Sequence, residues 1–494
     1  MMNRREFLKL SGTGLATLTL STMLPGMGIT DAFAADQGLE VFITDAMKQM
    51  VTHNEINSAT CYFWIYRMKA NGVDIPPDCP GPTIVAIKGD SIPIKVKNEL
   101  DEPHSFYIPG IIDTGPIAPG DTFTGTLTAS VSGAHLYYDN LNEPVNRVMG
   151  LHGALVVRPS AAAPGHKFTP YDNPSAHVQA LYDDFGSSTH FPGLAWEEAG
   201  SGTPPAPGEN VSLTGNAYCP PFRQYVWLTH QASPKLFAEV GNLAAGAIYD
   251  PQLFMQKFLR SPFDRTRATS YNPEYFTING QSGFFSHFSP QITPMGRIGE
   301  PVVVHILNAG LWVHSMHLHA NHFYVTSVNG VPSENPLWID VFGVMPMDRV
   351  DYTIPYMRPP SIPNTRGIGV PDTPLTTVNA LPCYPPFEEF ELHIPKPGTL
   401  ALAQDGVTTI DLAQRMSPLC YPMHDHTEPS QTAQGGNYNC GLISGMYILG
   451  DRTTPGAMNF PMDADFVMMY RNIRGVSGSG GSTAMAAGER PVTS

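Results

Sequence analysis

A repeat constrains this chain more than any other feature. The stretch GDSIPIKVKNEL (Gly89 to Leu100) falls without a gap on GEPVVVHILNAG (Gly299 to Gly310), an offset of 210 residues. The copies also end alike. Asp139 matches Asp425, Glu143-Pro144 matches Glu428-Pro429, and Gly150-Leu151 matches Gly441-Leu442. A chain that repeats itself builds the same unit twice. In each copy apolar residues alternate with others, as Ile92, Ile94 and Val96 do in the first and Val302, Val304 and Ile306 in the second. That period of two predicts strands with one buried face. With 46 Gly, 48 Pro and only 14% charged residues, the runs are short and punctuated by turns. The expected fold class is all-β, two sandwich domains related by internal duplication, with long loop insertions.

The expected boundaries are residues 40–160 and 222–452, joined by a connecting segment at 161–221 and followed by a flexible tail at 453–494. The sequence DPQLFMQKFL predicts a short helix, with Asp250 as its cap and Pro251 at its first position. Residues 1–34 open with Arg4-Arg5 ahead of a modest apolar run and end in Ala32-Phe33-Ala34. They resemble a twin-arginine export signal, which implies a periplasmic or extracellular protein. The run is too short and too rich in Gly, Ser and Thr for a membrane anchor, and no second candidate span follows. The six cysteines of an exported chain read first as up to three disulfides of unknown pairing. A formal net charge of −15 argues against nucleic acid and anionic membranes as partners but not against cations.

The chemistry concentrates in HSMHLH (His314 to His319) and PMHDHTEP (Pro422 to Pro429). Residues two apart on a strand share a face, with Cα atoms about 7 Å apart. His317 with His319, and His424 with His426, can therefore aim two imidazole pairs at one metal. The aligned positions in the first copy are Tyr107, Pro109, Tyr138 and Asn140. Tyr107 and Tyr138 could be ligands or could fill space with ring volume. His322 is expected to pack or hydrogen-bond, and His104 and His152 to be core or interface residues.

These motifs resemble the multicopper oxidase superfamily, which is built from Greek-key cupredoxin β-sandwiches. PGPTIVAIKGD (Pro80 to Asp90) and NEL (Asn98 to Leu100) fit its first domain, and HSMHLH with MHDH and GLISGM fit its last. The resemblance places His314 at a blue-copper histidine and Met446 at the axial methionine. It also puts Asp425 where the thiolate belongs and Gly441 at the second blue-copper histidine. It leaves His317, His319, His424 and His426 as half of a trinuclear cluster. Thiolate is what makes a blue site, so a laccase-type four-copper mechanism is not expected.

Two readings remain open. In the first, an exported protein holds one copper, or zinc or another divalent metal, on the four histidines. It would then oxidise a small reduced substrate, with O₂ as a candidate acceptor, or handle copper. His314, Asp425 and Met446 could hold a second metal, or His314 and Asp425 could form a buried pair. In the second, a metal-free cupredoxin scaffold binds a protein of the cell envelope. Two-domain members of the family often form homotrimers, and the sequence does not decide between a trimer and a monomer.

Overall fold

The computed structural model describes residues 38–50, 59–70, 72–184, 222–260, 271–287, 289, 292–298, 301–319, 321–354, 400–402, 409–411, 419–431 and 441–451. The export signal, the tail at 453–494, Cys219, Cys383 and Cys440 lie outside the described residues. Strand structure dominates, and the same arrangement of sheets is built twice.

In the first half, one sheet runs in the order Val73–Asp74, Ala59–Ala70, Leu39–Met50, Ser91–Asn98, Thr122–Thr128. It faces a second ordered Ile84–Ile87, His152–Arg158, Gly133–Tyr138, Tyr107–Ile108, Ile112–Asp113. The second half repeats the plan. One sheet runs Tyr275–Ile278, Arg223–Ala232, Val302–Asn308, Arg349–Ile354, Phe323–Val328, Val331–Ile339. The other runs Met295–Ile298, Ile443–Asp451, Leu419–Asp425, His314–Leu318, Val341–Val344. Even the parallel pairs recur. Leu39–Met50 lies parallel to Ser91–Asn98 as Arg223–Ala232 does to Val302–Asn308. Likewise Ile84–Ile87 lies parallel to His152–Arg158 as Met295–Ile298 does to Ile443–Asp451. The chain thus has the all-β, duplicated sandwich fold that its repeat predicts.

Ser91–Asn98 shows the expected alternation, with Ile92, Ile94 and Val96 buried and Ser91, Pro93 and Lys95 exposed. Val302–Asn308 does not, being buried at every position. Its second face is covered from two directions. Leu307 packs with Leu136, Ala154 and Val156 of the first half, which joins the two sandwiches through an apolar seam. Val303 packs with Phe168, Val178 and Tyr182. Those last residues come from the segment expected to be a connector. Its described part carries a helix, Ala176–Asp184, and Tyr171 Oη donates to Asp351 Oδ2 at 2.9 Å. The segment up to residue 184 is therefore part of the second half's packing. A short helix, Pro251–Phe258, forms where expected, and the Asp250 carboxylate accepts from the amides of Gln252 and Leu253. Cys61 and Cys79 are buried free thiols, so neither joins a disulfide.

Buried histidines make this fold sensitive to acid. His135 donates from Nε2 to the Val131 carbonyl at 2.9 Å and accepts at Nδ1 from Arg349 Nη1 at 2.9 Å. Burial, followed by the Arg349 charge, pushes its pKa down to about 4. The unfolded chain therefore takes up a proton near pH 6.5 that the folded chain refuses, and stability falls as pH drops from there towards 4. At about 1.4 kcal/mol per pH unit, this one site costs about 2 kcal/mol by pH 5. Denaturant unfolding at pH 7 and pH 5 should show at least that loss, and His135→Gln should reduce it by about 2 kcal/mol.

Candidate metal centre

The site grows from two adjacent antiparallel strands, His314–Leu318 and Leu419–Asp425, in which His317 lies opposite His424 and Met316 opposite Asp425. Alternation sorts the side chains. His314, Met316 and Leu318 are buried on the inner face, while His317 and His319 are part-exposed on the outer one. On the partner strand Met423 and Asp425 face inward with them. The outer face thereby collects all four imidazoles of the two HxH pairs.

His317, His319 and His424 each offer a nitrogen within 4.8 Å of the others. His426 closes the group, its ring centroid 4.9 Å from that of His317 and 5.1 Å from that of His424. His319 Nε2 and His424 Nε2 are 2.8 Å apart, a shared-proton contact that a cation would replace. Backbone carbonyls fix two of the rings. His317 Nδ1 donates to Asp340 O at 3.1 Å, which turns its Nε2 lone pair to the cluster. His424 Nδ1 lies 3.1 Å from Asp425 O and 3.0 Å from Gln431 Nε2; donation to the carbonyl requires the Gln431 amide to turn its oxygen to this nitrogen. Burial, then the neighbouring imidazoles, holds the pKa of His319 below the usual histidine value. His424 shifts the same way, chiefly by burial. Neutral imidazole is the ligating form, and metal–nitrogen bonds of about 2.0–2.1 Å need only small ring movements here. The donor set fits copper, and equally zinc. His426 is exposed, so one side of the centre is open to solvent.

The inner face has a different chemistry. His314 Nδ1 donates to Asp425 Oδ2 at 2.6 Å, and both residues are fully buried. The Ser430 hydroxyl donates to the same oxygen, while Oδ1 accepts from the amides of Ser315 at 2.7 Å and Thr427 at 3.0 Å. Burial alone would raise the Asp425 pKa, but His314, Ser430 and Thr427 outweigh it and hold the carboxyl below its usual range. Gln231 completes the pair. Its Oε1 accepts from the Leu311 amide at 2.8 Å, so its amide nitrogen is the donor to His314 Nε2 at 2.6 Å. Both imidazole nitrogens are then engaged, and His314 has no lone pair for a metal. Met446 is buried in the apolar core with Met316, Leu318 and Met423. The candidate second metal site of His314, Asp425 and Met446 is thus a closed hydrogen-bonded pair beside a packed methionine. At Gly441, a Cβ would lie 1.5 Å from Ser430 O, so no histidine fits that position in this backbone.

The first half holds the twin of this pair. His104 Nδ1 donates to Asp139 Oδ2 at 2.6 Å, both residues fully buried. Asp139 also accepts from Ser105 Oγ at 2.8 Å, the Leu141 amide at 2.8 Å and Asn146 Nδ2 at 3.0 Å. On its outer face, Tyr107 lies opposite Tyr138 as His317 lies opposite His424. Those tyrosine rings meet edge to face at 5.4 Å, and Tyr138 leans on the apolar seam between the halves. His322 stacks on Trp338, with centroids 5.4 Å apart.

The partners Gln231, Ser430, Gln431 and Asp340 have no motif of their own in the sequence. Only their proximity in the fold shows them. Removing Asp425 would strand the His314 N–H and two backbone amides. Asp425→Ala should therefore cost at least about 3 kcal/mol of stability, measured by urea unfolding, because each buried donor left without an acceptor costs about 1–3 kcal/mol. Asp425→Cys should not produce an intense blue absorption, since His314 stays bound to Gln231 and position 441 supplies no imidazole.

Two family models described as multicopper oxidase match residues 65–162 and 261–356. Laccase 1 of Metarhizium album (strain ARSEF 1941) is 33% identical over 86 residues, a stretch that takes in 17% of this chain and 14% of that laccase. The chain is also similar to the solved blue copper oxidase from Nitrosomonas europaea, with 15% identity, a TM-score of 0.44, and coverage of 82% of this chain and 84% of that one. The copper nitrite reductase from the same organism gives 13% identity, a TM-score of 0.41, and coverage of 85% and 96%. The two matched segments, one in each half, support a place for the chain in the multicopper oxidase superfamily.

Proposed function

We propose that this is an exported copper protein in which His317, His319, His424 and His426 hold a single mononuclear copper, used for copper-dependent oxidation of a small reduced substrate or for copper handling. The observation that carries this reading is the convergence of three imidazole nitrogens within 4.8 Å, with the ring of His426 beside them. Copper bound there would supply one-electron redox chemistry at an all-nitrogen site, without the high potential that a thiolate confers. The protein's own groups set the terms. Asp340 and Asp425 orient His317 and His424 through backbone carbonyls. Exposed His426 leaves an approach from solvent. Asp425, between the two ligating histidines in sequence, is a hydrogen-bonded carboxylate and offers no inward route for electrons. A reductant must then reach the centre from outside.

The paired tyrosines of the first half we read as ring volume, because their contact is with each other. The buried His–Asp pairs in both halves favour a second reading, a metal-free scaffold that binds a partner in the cell envelope. Metal analysis by mass spectrometry separates the two when done on protein exported with its first 34 residues intact. The copper reading expects about one copper per chain and no intense thiolate band, with the metal lost in a folded His317→Ala/His424→Ala variant. Equal, negligible copper in both proteins would favour the scaffold. Three or four coppers per chain would restore a multicopper mechanism.

A further inference from the structure

A second group of donors lies outside the four-histidine centre and its buried twin pairs. Cys79, His152 and His230 are all buried, and each offers a ligand atom within 4.8 Å of the others. They come from three parts of the chain. Cys79 sits in the loop before Ile84–Ile87, His152 opens the strand His152–Arg158, and His230 lies on Arg223–Ala232 of the second half. That loop is tied down by Gly81, whose amide donates to His152 O at 2.9 Å, and by Lys48 Nζ, which donates to Cys79 O at 2.8 Å. The cluster therefore bridges the two sandwiches at their junction.

Each imidazole already spends one ring nitrogen on a backbone carbonyl and keeps the other as a lone-pair nitrogen. His152 Nδ1 donates to Arg147 O at 2.8 Å, and its Nε2 is buried with no hydrogen-bond partner. His230 Nε2 donates to Val148 O at 2.7 Å, which leaves Nδ1 as its lone-pair nitrogen. The rings are tilted against each other with centroids 4.4 Å apart. A metal ligand typically spends its other ring nitrogen on a carbonyl in this way. An unmet buried nitrogen is destabilising, and a bound cation would satisfy it.

We propose that Cys79, His152 and His230 form a second metal site, a three-coordinate thiolate–bis-imidazole centre for Cu(I). Soft thiolate selects Cu(I) or Zn(II) among the common ions. Charge decides between them. Cu(I) with one thiolate is neutral, whereas Zn(II) with one thiolate leaves a net positive charge in a dry interior, where it is costly. The nearest charged groups already include two cations, Arg147 and Lys48. Each already has its own carboxylate, Lys48 with Asp78 and Arg147 with Glu143 at 3.1 Å, so these carboxylates are spent and do not offset an added positive charge. Burial keeps both imidazoles neutral, the His152 pKa lowered to about 3, and raises the Cys79 thiol to about 12, so uptake of the ion releases the thiol proton. Bonds of about 2.0–2.3 Å place three donors about 3.5–4 Å apart, a contraction of about 1 Å from the cluster as it stands.

The test uses the full chain, reduced and freed of metal, in the His317→Ala/His424→Ala background so that the outer centre is silent. Cu(I) is added anaerobically in competition with a chromophoric Cu(I) chelator, and the bound metal is examined by X-ray absorption. The proposal expects one retained Cu(I) with one sulfur and two imidazole neighbours, lost in Cys79→Ser and weakened in His152→Gln, while Cys61→Ser retains it. Circular dichroism on each variant separates lost binding from lost folding, and His152→Gln keeps the test available if Cys79→Ser does not fold. Absence of copper–sulfur scattering in the background protein, or its survival in Cys79→Ser, would overturn the site. Preferential retention of Zn(II) over Cu(I) would overturn the choice of ion. Because the outer histidines are removed throughout, failure here is distinct from failure of the mononuclear copper reading.

Discussion

The contact between His314 and Asp425 governs what this protein can do. A carboxylate stands where the resemblance to multicopper oxidases would place a thiolate, and it is spent on one imidazole, one hydroxyl and two backbone amides. Gln231 takes the other side of the imidazole. Such a network is worth keeping only when every member is satisfied, and here it is. The cost of leaving any one partner unpaired in a dry core then fixes the two central strands in register. That register is what brings His317 opposite His424 on the outer face.

The consequence is a separation of functions across one strand pair. The inner face is structural, closed and apolar apart from the pair itself. The outer face gathers four imidazoles, and exposed His426 opens that face to solvent. The first half makes the same inner pair from His104 and Asp139 and carries tyrosines on the outer face. Both copies therefore keep the buried carboxylate–imidazole lock, and only the second keeps the histidines. This pattern indicates that the lock serves folding in both halves, while the outer face varies with its use.

Much of this was legible in the sequence. The repeat at 210 residues gave the correct pairing of halves, down to Tyr107 opposite Tyr138 matching His317 opposite His424. The period of two assigned the four histidines to one face and Asp425 to the other. What could not be read depends on contacts between distant segments. Val302–Asn308 is buried on both faces because the first half and residues 168–182 cover it, and no local pattern announces that cover. Gln231 gives no sign of its role until the fold sets it against His314. Gly441 reads as a lost histidine, but only the Ser430 carbonyl shows that no side chain fits there. Cys79, His152 and His230 are spread across three segments, so spacing carries no hint of their meeting.

Electron paramagnetic resonance of the Cu(II)-loaded protein tests the central claim most directly, because it reports both the ligands and the coupling of each copper. The account predicts one axial signal from an isolated copper, with nitrogen couplings from several imidazoles and spins equal to the copper bound at the outer face. Narrow hyperfine splitting of the thiolate type at that centre, or copper in excess of the observed spins through magnetic coupling, would contradict it.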